Sequence, residues 1–418
     1  MPFRAFVAAR PSANACYPSP LIDKTRRKPL IHSAFPRASV AVLSLSLAAC
    51  ATQSPPPKPA ALVAAPGLAA TPAAAPAAPA EVLLPKVPQP PERPVAPSAV
   101  TDPAIPREQR IAAFVDYTAQ TYGVEPQRIR DTLAQAEYKQ SIIDAITRPA
   151  EAVKPWRDYR TIFLTPARID GGRAFHAENR EALDRVSAQT GVPAEYIVAI
   201  IGVETSYGRN TGSYRVLDAL YTLAFDHPKR APFFAGELAQ LFALTAQEPQ
   251  LDLPALKGSY AGAMGMGQFM PSSYRLWAKD GDRDGRRDLL THKPDVFASI
   301  ANYFVIHGWQ ADGPVVARAQ FDAQQAEFVP ENLEPVHPLQ ALAARGYRPM
   351  PGEPVPGEPV PGDIATVGAT VVNLDGAAGR EHWLGYRNYY VITRYNRSPM
   401  YALAVHQLAQ EIRAGAQP

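Results

Sequence analysis

An apolar segment that ends in a single acid is the feature that most limits how this chain can fold. Residues 196–203 are almost entirely aliphatic, and Glu204 follows them directly. Pro193 before the segment and Gly208 after it are typical of the first turn and the end of a helix. The pattern therefore predicts a helix over 193–207 that packs in the core.

Glu204 itself has two interpretations. It could be a surface acid in the last turn of a core helix, which composition alone favours. It could instead be a general acid. An apolar environment disfavours the charged carboxylate, raises its pKa and keeps a proton available for transfer near neutral pH.

The first 49 residues have the layout of a lipoprotein signal peptide. An uncharged apolar stretch over 39–49 follows several basic residues and ends at Cys50. The stretch is too short to span a bilayer, and small residues before a cysteine suit cleavage and acylation of the thiol. We therefore expect a lipid on Cys50 and a periplasmic protein, and Ala51 in the next position predicts the outer membrane. A plain signal peptide that ends in cysteine by chance is the alternative.

Removal of this segment changes the charge balance. Residues 1–49 carry seven Lys or Arg and one Asp, a net charge of +6; because the whole chain is +3, about −3 remains for residues 50–418. Such a chain lacks the basic surface that nucleic-acid binding needs. Since Cys16 would be removed and Cys50 acylated, no disulfide is expected within one mature chain.

Residues 50–105 are mostly proline and alanine. This composition favours extended polyproline II, at roughly 3 Å per residue, and predicts a tether between the lipid and a body that begins at residue 106. Disordered filler without a spacer role is the alternative.

Beyond the tether the sequence predicts a mainly helical α+β body. Ile111, Phe114, Val115 and Thr118 have helical spacing, and further helices are expected at 126–147, 173–190, 193–207, 232–247, 294–307 and 399–413. The β-branched and aromatic residues of 366–373 and 389–395 predict two strands, and hence a small late sheet in a C-terminal part over 363–413. The repeated PGEPV motif over 351–362 is expected to lie on the surface.

A glycine-rich block over 257–274 is the second candidate functional element. Gly262, Gly265 and Gly267 permit close approach of a ligand to the backbone, and the Gln268 amide offers donors and acceptors. This chemistry suits a sugar, although small residues also serve tight helix packing.

Taken with residues 202–208 (GVETSYG), this block resembles the lysozyme-like lytic transglycosylases, in particular the membrane-bound lytic murein transglycosylase B family. The similarity covers residues 106–415 and includes 217–220, 301–304 and 392–396 in the same order. It implies a lysozyme-like fold, with 106–415 as the catalytic region. It also implies cleavage of the β-1,4 bond between N-acetylmuramic acid and N-acetylglucosamine in peptidoglycan, with a 1,6-anhydromuramoyl product. A muramidase or chitinase-type hydrolase and a non-catalytic peptidoglycan-binding lipoprotein are the alternatives.

The resemblance implies that one acid performs both proton transfers. Most glycosidases use two carboxylates, whereas the next acid after Glu204 is Asp218. Glu204 would protonate the glycosidic oxygen and then deprotonate the muramoyl 6-hydroxyl, which attacks C1 with the advantage of an intramolecular step. The N-acetyl group or nearby dipoles would stabilise the oxocarbenium-like state.

The same resemblance implies a set of substrate-binding residues. The cleft would be lined by Ser259, Gln268, Tyr303, Tyr395 and Asn396, with Tyr159 and Tyr401 as further walls. Tyrosine offers a sugar an apolar ring and a hydroxyl, although each tyrosine could equally serve core packing. Lys229 and Arg230 would meet the lactyl or peptide carboxylates. Because the family often has two arginines there, Lys229 would weaken bidentate recognition.

A run of acids over 280–295 predicts a structural calcium site. Asp280, Asp282 and Asp284 occupy positions 1, 3 and 5 of an EF-hand-like loop, and Gly285 occupies position 6. Thr291 stands where the closing glutamate is usual; the resemblance implies Asp295 as the substitute, with the Arg286 carbonyl as the backbone ligand. The alternative is neutralisation of the acids by neighbouring arginines.

No organic cofactor is expected. The sequence contains no P-loop, dinucleotide-binding fingerprint or nucleophile-elbow serine, and its histidines lack zinc-binding spacing.

Overall fold

The computed structural model describes residues 83–90, 95–147, 154–356 and 367–416. The predicted signal peptide, Cys50 and residues 51–82 of the predicted tether lie outside these ranges.

Helices form most of the described chain. Before the glycine-rich block they are α1 (Ser98–Thr101), α2 (Arg107–Tyr122), α3 (Pro126–Leu133), α4 (Gln140–Thr147), α5 (Trp156–Phe163), α6 (Pro166–Glu178), α7 (Arg180–Thr190), α8 (Ala194–Thr205), α9 (Val216–Asp226) and α10 (Ala231–Gln247). After it they are α11 (Pro271–Trp277), α12 (Lys293–Ile306), α13 (Leu339–Ala344), α14 (Arg387–Tyr395) and α15 (Pro399–Ala416).

The strands form two antiparallel sheets. In the first, β1 (Tyr214–Arg215) pairs with β2 (Lys257–Gly258). The second has the order β4-β6-β7-β3-β5 and comprises β3 (Val316–Phe321), β4 (His337–Pro338), β5 (Tyr347–Pro349), β6 (Gly368–Gly376) and β7 (Gly379–Gly385). A separate small core lies on this sheet, with Tyr347, Leu384 and Tyr386 among its buried residues.

The centre of the helical part is α8. Its residues from Tyr196 to Val203 are all buried, and it packs between α6, α7, α12 and α15. A helix that is apolar on every side is stable only inside such a shell, where each buried aliphatic side chain contributes about 1.5–3 kcal/mol. This arrangement confirms the mainly helical α+β body with a small late sheet.

The folded part begins before the predicted boundary at residue 106. The backbone N–H of Leu84 donates to the carbonyl of Val336 at 2.7 Å, and Val87 is buried. Farther along, Ala96 and Val100 are also buried, with Val100 in α1 fully enclosed. Residues 83–90 and 95–105 are therefore part of the body and do not belong to a tether.

The predicted strand over 389–395 is wrong, because these residues lie in α14. All residues from Asn388 to Thr393 are buried there. Packing on every side of the helix therefore outweighs the β-propensity of its side chains. The strand expected at 366–373 is confirmed as β6.

Two predicted helices are each interrupted. The helix expected over 126–147 is α3 and α4, and the one over 173–190 is the end of α6 followed by α7, with the break at Asn179. Residues 351–356 of the proline repeat lie at the surface.

No single helix in the described ranges is both long and apolar enough to cross a membrane. Among the described helices, only the pair α7 and α8 passes on length and composition, and the two are bent by 115°.

Candidate active site

Glu204 lies in the last turn of α8 and is half-buried. The helix ends at Ser206, which has a left-handed backbone with φ 51°. Tyr207 and Gly208 also have positive φ, at 64° and 82°. The helix therefore ends at Ser206, two residues before the Gly208 that predicted its end. The three residues with positive φ make a sharp turn directly after Glu204.

Thr205 joins the end of α8 to the glycine-rich block. Its buried hydroxyl lies 2.9 Å from the carbonyl of Met266 and 3.1 Å from the carbonyl of Ile201, and it accepts a hydrogen bond from Gly208 N–H at 3.0 Å. Because the hydroxyl has one proton, it donates to one of the two carbonyls at a time. This contact fixes the glycine-rich block beside Glu204.

The ring of Tyr207 packs directly over Gly202. A Cβ built on Gly202 would lie 2.7 Å from the Tyr207 hydroxyl oxygen, so only glycine leaves room. The same hydroxyl donates to the carbonyl of Arg168 at 2.7 Å, and the Arg168 guanidinium donates to the carbonyl of Gly202. The turn after Glu204 is thus held against α6.

Tyr401 reaches Glu204 from α15. Its hydroxyl donates to a carboxylate oxygen of Glu204 at 2.5 Å, and its side chain is buried. Burial raises the pKa of Tyr401 well above its ordinary value, and the charge of Glu204 adds to the shift. Tyr401 is therefore a permanent donor to this carboxylate.

Tyr395, Tyr303 and Phe269 form an aromatic cluster next to the glycine-rich block. The Tyr395 ring lies 4.8 Å from Tyr303 and 5.9 Å from Phe269, and its hydroxyl donates to the carbonyl of Gly267 at 2.7 Å. Burial, and then the charge of Glu204, raises the pKa of Tyr395 well above its ordinary value. The hydroxyl of Tyr303 donates to the carbonyl of Arg394 at 2.7 Å.

Gln268 and Ser259 organise the backbone of the glycine-rich block. Gln268 has φ 50°, and its amide nitrogen donates to the carbonyls of Thr211 and Gly265 at 3.1 and 3.0 Å. The Ser259 hydroxyl oxygen accepts hydrogen bonds from Ala261 N–H and Ala263 N–H at 3.3 and 3.0 Å. Both predicted residues therefore lie in the element that Thr205 ties to Glu204.

The remaining predicted residues differ in position. Tyr159 is buried in α5, and its electrostatic effect on the pKa of Tyr401 places it close to that tyrosine. Asn396 is exposed just after α14, where its side chain accepts from Ser398 N–H. Lys229 and Arg230 are exposed at the turn between α9 and α10, and the Arg230 guanidinium lies over the rings of Phe233 and Phe234.

Nearby acids have structural partners. Asp218 accepts hydrogen bonds from the Arg215 guanidinium and from Glu137 N–H. Glu195, in the first turn of α8, lies 4.0 Å from the Arg413 guanidinium. Neither arrangement offers a second carboxylate to the site of Glu204.

The acidic loop folds around its own carboxylates. Asp280, Asp282 and Asp284 bring oxygens within 4.8 Å of one another, and the Asp280 carboxylate accepts from Asp284 N–H and Gly285 N–H. The buried carboxylate of Asp295, on α12, accepts from Gly281 N–H and Asp288 N–H at 2.7 Å each. Asp295 thus closes the loop from the opposite side.

Comparison with known proteins identifies the family of the chain. The family model described as "Transglycosylase SLT domain" matches residues 106–410. The chain is 39% identical over 308 residues to membrane-bound lytic murein transglycosylase B of Escherichia coli, which covers 72% of this chain and 81% of that protein.

The chain belongs to the SLT-domain transglycosylase family.

Solved structures of the family have the same fold. Soluble lytic transglycosylase SltB1 of Pseudomonas aeruginosa is 46% identical with a TM-score of 0.66, and the match covers 73% of this chain and 99% of that one. The lytic transglycosylase Slt35 of Escherichia coli, solved in complex with calcium, is 36% identical with a TM-score of 0.64, covering 78% and 96%. The resemblance to the transglycosylase B family is confirmed.

Sequence reasoning missed Thr205, Tyr207 and Met266 as parts of the site. Thr205 and Tyr207 lie within three residues of Glu204 in the GVETSYG motif, so their position in the sequence could have identified them. Met266 contributes its backbone carbonyl, and a backbone contact cannot be predicted from the residue type.

Proposed function

We propose that this protein is a peptidoglycan lytic transglycosylase that cleaves the bond between N-acetylmuramic acid and N-acetylglucosamine and forms a 1,6-anhydromuramoyl end. The observation that carries the proposal is the setting of Glu204. It is a single half-buried carboxylate at the end of an apolar helix, hydrogen-bonded by the buried hydroxyl of Tyr401. Membership of the transglycosylase family supports the same reaction.

In this mechanism Glu204 acts as acid and then as base. The protonated carboxyl gives its proton to the glycosidic oxygen, and the C1–O bond breaks. The resulting carboxylate takes the proton of the muramoyl 6-hydroxyl as that oxygen bonds to C1, which regenerates the acid and needs no water. The Tyr401 hydroxyl stabilises the carboxylate between these steps, because a hydrogen bond to a charged acceptor is stronger than one to a neutral acceptor.

We assign the glycan to the groove next to Glu204. The half-buried ring of Tyr395 would offer an aromatic face to a sugar, and the buried ring of Tyr303 would support it at 4.8 Å. Both side-chain hydrogen bonds of Gln268 to described residues use its amide nitrogen, so we assign its amide oxygen as the acceptor for a sugar hydroxyl. Ser259 accepts two backbone hydrogen bonds, which leaves its hydroxyl proton for the ligand. Asn396, at the exposed end of α14, would meet the glycan at the rim, and Tyr159 would support Tyr401 from behind.

Lys229 and Arg230 would meet carboxylates of the lactyl or peptide groups farther along the glycan. Both are exposed at one turn, which suits an anionic part of the substrate. Arg230 is held over Phe233 and Phe234, so its guanidinium keeps a defined direction. Lys229 contributes a point charge without bidentate geometry.

Calcium would bind the acidic loop and have a structural role. The three carboxylates bring oxygens within 4.8 Å of one another and repel; a cation between them would offset this repulsion, and oxygen ligands at this spacing suit calcium. The ligands would be Asp280, Asp282 and Asp284, with Asp295 closing the loop; the Arg286 carbonyl remains a prediction. A family relative has been solved in complex with calcium.

We also propose a lipid anchor on Cys50 that attaches the enzyme to the periplasmic face of the outer membrane. The support is the sequence over 39–51. The Escherichia coli relative, by its name, is membrane-bound.

Digestion of purified sacculi tests the function. Wild type and Glu204→Gln are compared, with Glu195→Gln as a control because it makes the same change on the same helix. We expect anhydro-ended muropeptides by mass spectrometry from wild type and the control, and a rate roughly 100- to 10,000-fold lower for Glu204→Gln. Reducing ends would indicate a hydrolase, and binding of sacculi without release of fragments would indicate a non-catalytic protein.

A further inference from the structure

Residues 83–89, named here the N-terminal strap, lie on the part of the body that carries α14. Leu84 pairs with Val336 through its backbone, just before β4. A Cβ built on Gly368, at the start of β6, would lie 3.1 Å from the Leu84 side chain. The strap is thus docked next to the edge of the late sheet.

Val87 lies beside Gly308, whose carbonyl is bound by the first residue of α14. Its side chain is buried, and a Cβ built on Gly308 would lie 3.2 Å from Val87 and 2.9 Å from the Arg387 guanidinium. Arg387 is the first residue of α14 and donates to the carbonyl of Gly308 at 2.8 Å. Val87 therefore covers the junction that fixes the start of this helix.

Lys86 contacts the middle of α14 through Glu334. One carboxylate oxygen of Glu334 accepts a hydrogen bond from the Tyr390 hydroxyl at 3.1 Å. Its other oxygen is buried and accepts no hydrogen bond from the described residues, and the Lys86 ammonium lies 3.8 Å from it. A buried carboxylate oxygen is costly without a cation nearby, so Lys86 supports the orientation of Glu334 and Tyr390.

The far end of α14 belongs to the proposed glycan groove. Tyr395 is its last residue, Asn396 follows it, and the carbonyl of Arg394 accepts the Tyr303 hydroxyl. We propose that Val87 and Lys86 are positioning residues that hold α14, and through it the Tyr395–Asn396 wall of the glycan groove. The chain segment that leads to the predicted anchor would thereby be coupled to substrate binding.

The contacts of Lys86 and Val87 are expected to differ in how much they stabilise the position of α14. The Lys86 side chain is 78% exposed, and an exposed ion pair contributes little. Val87 loses almost all contact with water, so its truncation is expected to have the larger effect.

The inference rests on the proposed function for its kinetic readout only, and hydrogen exchange tests it independently. The full chain in detergent is compared with Val87→Ser, with the milder Val87→Ala and with Val87→Ile, which retains the contact. Val95→Ser is the matched control, because Val95 is 60% exposed in the same part of the chain.

For Val87→Ser we expect deuterium uptake over residues 387–396 to be about 10-fold faster than in wild type, with an intermediate rate for Val87→Ala. We also expect KM for soluble glycan strands to rise about 3- to 10-fold while kcat stays within about 2-fold, because Glu204 lies on another helix. Val87→Ile and Val95→Ser should resemble wild type in both measurements. Lys86→Met should also increase deuterium uptake and KM, but by less than Val87→Ser. Lys86→Arg keeps the positive charge and should resemble wild type in both measurements.

Unchanged uptake over 387–396 in both Val87→Ser and Val87→Ala would overturn the strap's role. Faster uptake with an unchanged KM, or a loss in kcat alone, would overturn the positioning of the groove. If wild type cleaves no glycan, the proposed function fails, and the uptake comparison still decides whether the strap holds α14.

Discussion

The hydroxyl of Tyr401 donates a hydrogen bond of 2.5 Å to the carboxylate of Glu204. The two residues lie on α15 and α8, far apart in the chain, and burial keeps the tyrosine protonated by raising its pKa well above the ordinary value. In the proposed mechanism this carboxylate releases and recovers a proton, and the fixed donor would favour its ionised form after the first proton transfer.

We expect Tyr401→Phe to lower kcat roughly 10- to 100-fold, because a hydrogen bond to a charged group contributes about 1.5–3 kcal/mol. KM should change less, since the ring remains. Release of anhydro-muropeptides from sacculi gives the rates. Tyr389→Phe is the matched control, because it removes another buried hydroxyl that donates to the carbonyl of Pro399 at 2.9 Å. Equal losses in the two variants would show that Tyr401 has only a structural role.

Gly202→Ala is expected to destabilise the protein by about 1–3 kcal/mol, as overpacking in a core usually does. The added methyl would lie 2.7–2.8 Å from the Tyr207 ring. This cost exceeds the gain of up to about 1 kcal/mol that alanine brings to a helix interior. Chemical denaturation measures the change in the free energy of unfolding.

A double variant checks the cause of that loss. Tyr207→Ala removes the ring that the methyl would contact, so Gly202→Ala should cost much less in that background than in wild type. If Gly202→Ala destabilises wild type and Tyr207→Ala equally, the added methyl group clashes with a residue other than Tyr207.

Calcium is expected to raise the melting temperature of wild type, because a ligand that binds only the folded state stabilises it by about 2.7 kcal/mol at 100 times its Kd. Asp284→Ala should lose most of this rise, since Asp284 is one of the three converging carboxylates. Asp116→Ala, at an exposed acid on α2, is the control. The same rise in Asp284→Ala as in wild type would argue against the loop as the binding site.

His406 predicts a loss of stability in mild acid. Its imidazole nitrogen lies 2.8 Å from the Tyr196 hydroxyl, and burial lowers its pKa to about 4. Because an unfolded histidine titrates near 6.5, the unfolded chain binds more protons between these values, and the free energy of unfolding falls as pH drops from about 6.5 to 4.

The loss from this one residue is as much as about 3 kcal/mol, since each pKa unit corresponds to about 1.36 kcal/mol. His406→Gln should lose less stability than wild type over the same range of pH, in urea denaturation at several pH values. His337→Gln, a change in the late sheet, is the control. Parallel pH profiles for wild type and His406→Gln would contradict the assignment.

Much of the fold follows from local pattern. Pro193 and Gly208 indicate a helix around the apolar stretch 196–203, and a helix without a polar face has to be buried, so the central position of α8 was predictable. The same pattern failed for 389–395, because β-branched and aromatic residues enter a helix when neighbours bury every side of it. The start of the folded body before residue 106 could not be predicted, because the proline-rich composition of 83–90 does not indicate that this segment packs against Val336 and Gly308.

The sequence by itself determined which chemical groups are available: one acid at the end of an apolar run, a glycine-rich block and a set of tyrosines. Tertiary structure alone decided which tyrosine touches that acid, which acids are already engaged by arginines, and which backbone carbonyl holds the Thr205 hydroxyl. The physical reason is that residue type and spacing set short-range conformation and burial. A hydrogen bond between α8 and α15 depends instead on how all the helices between them pack.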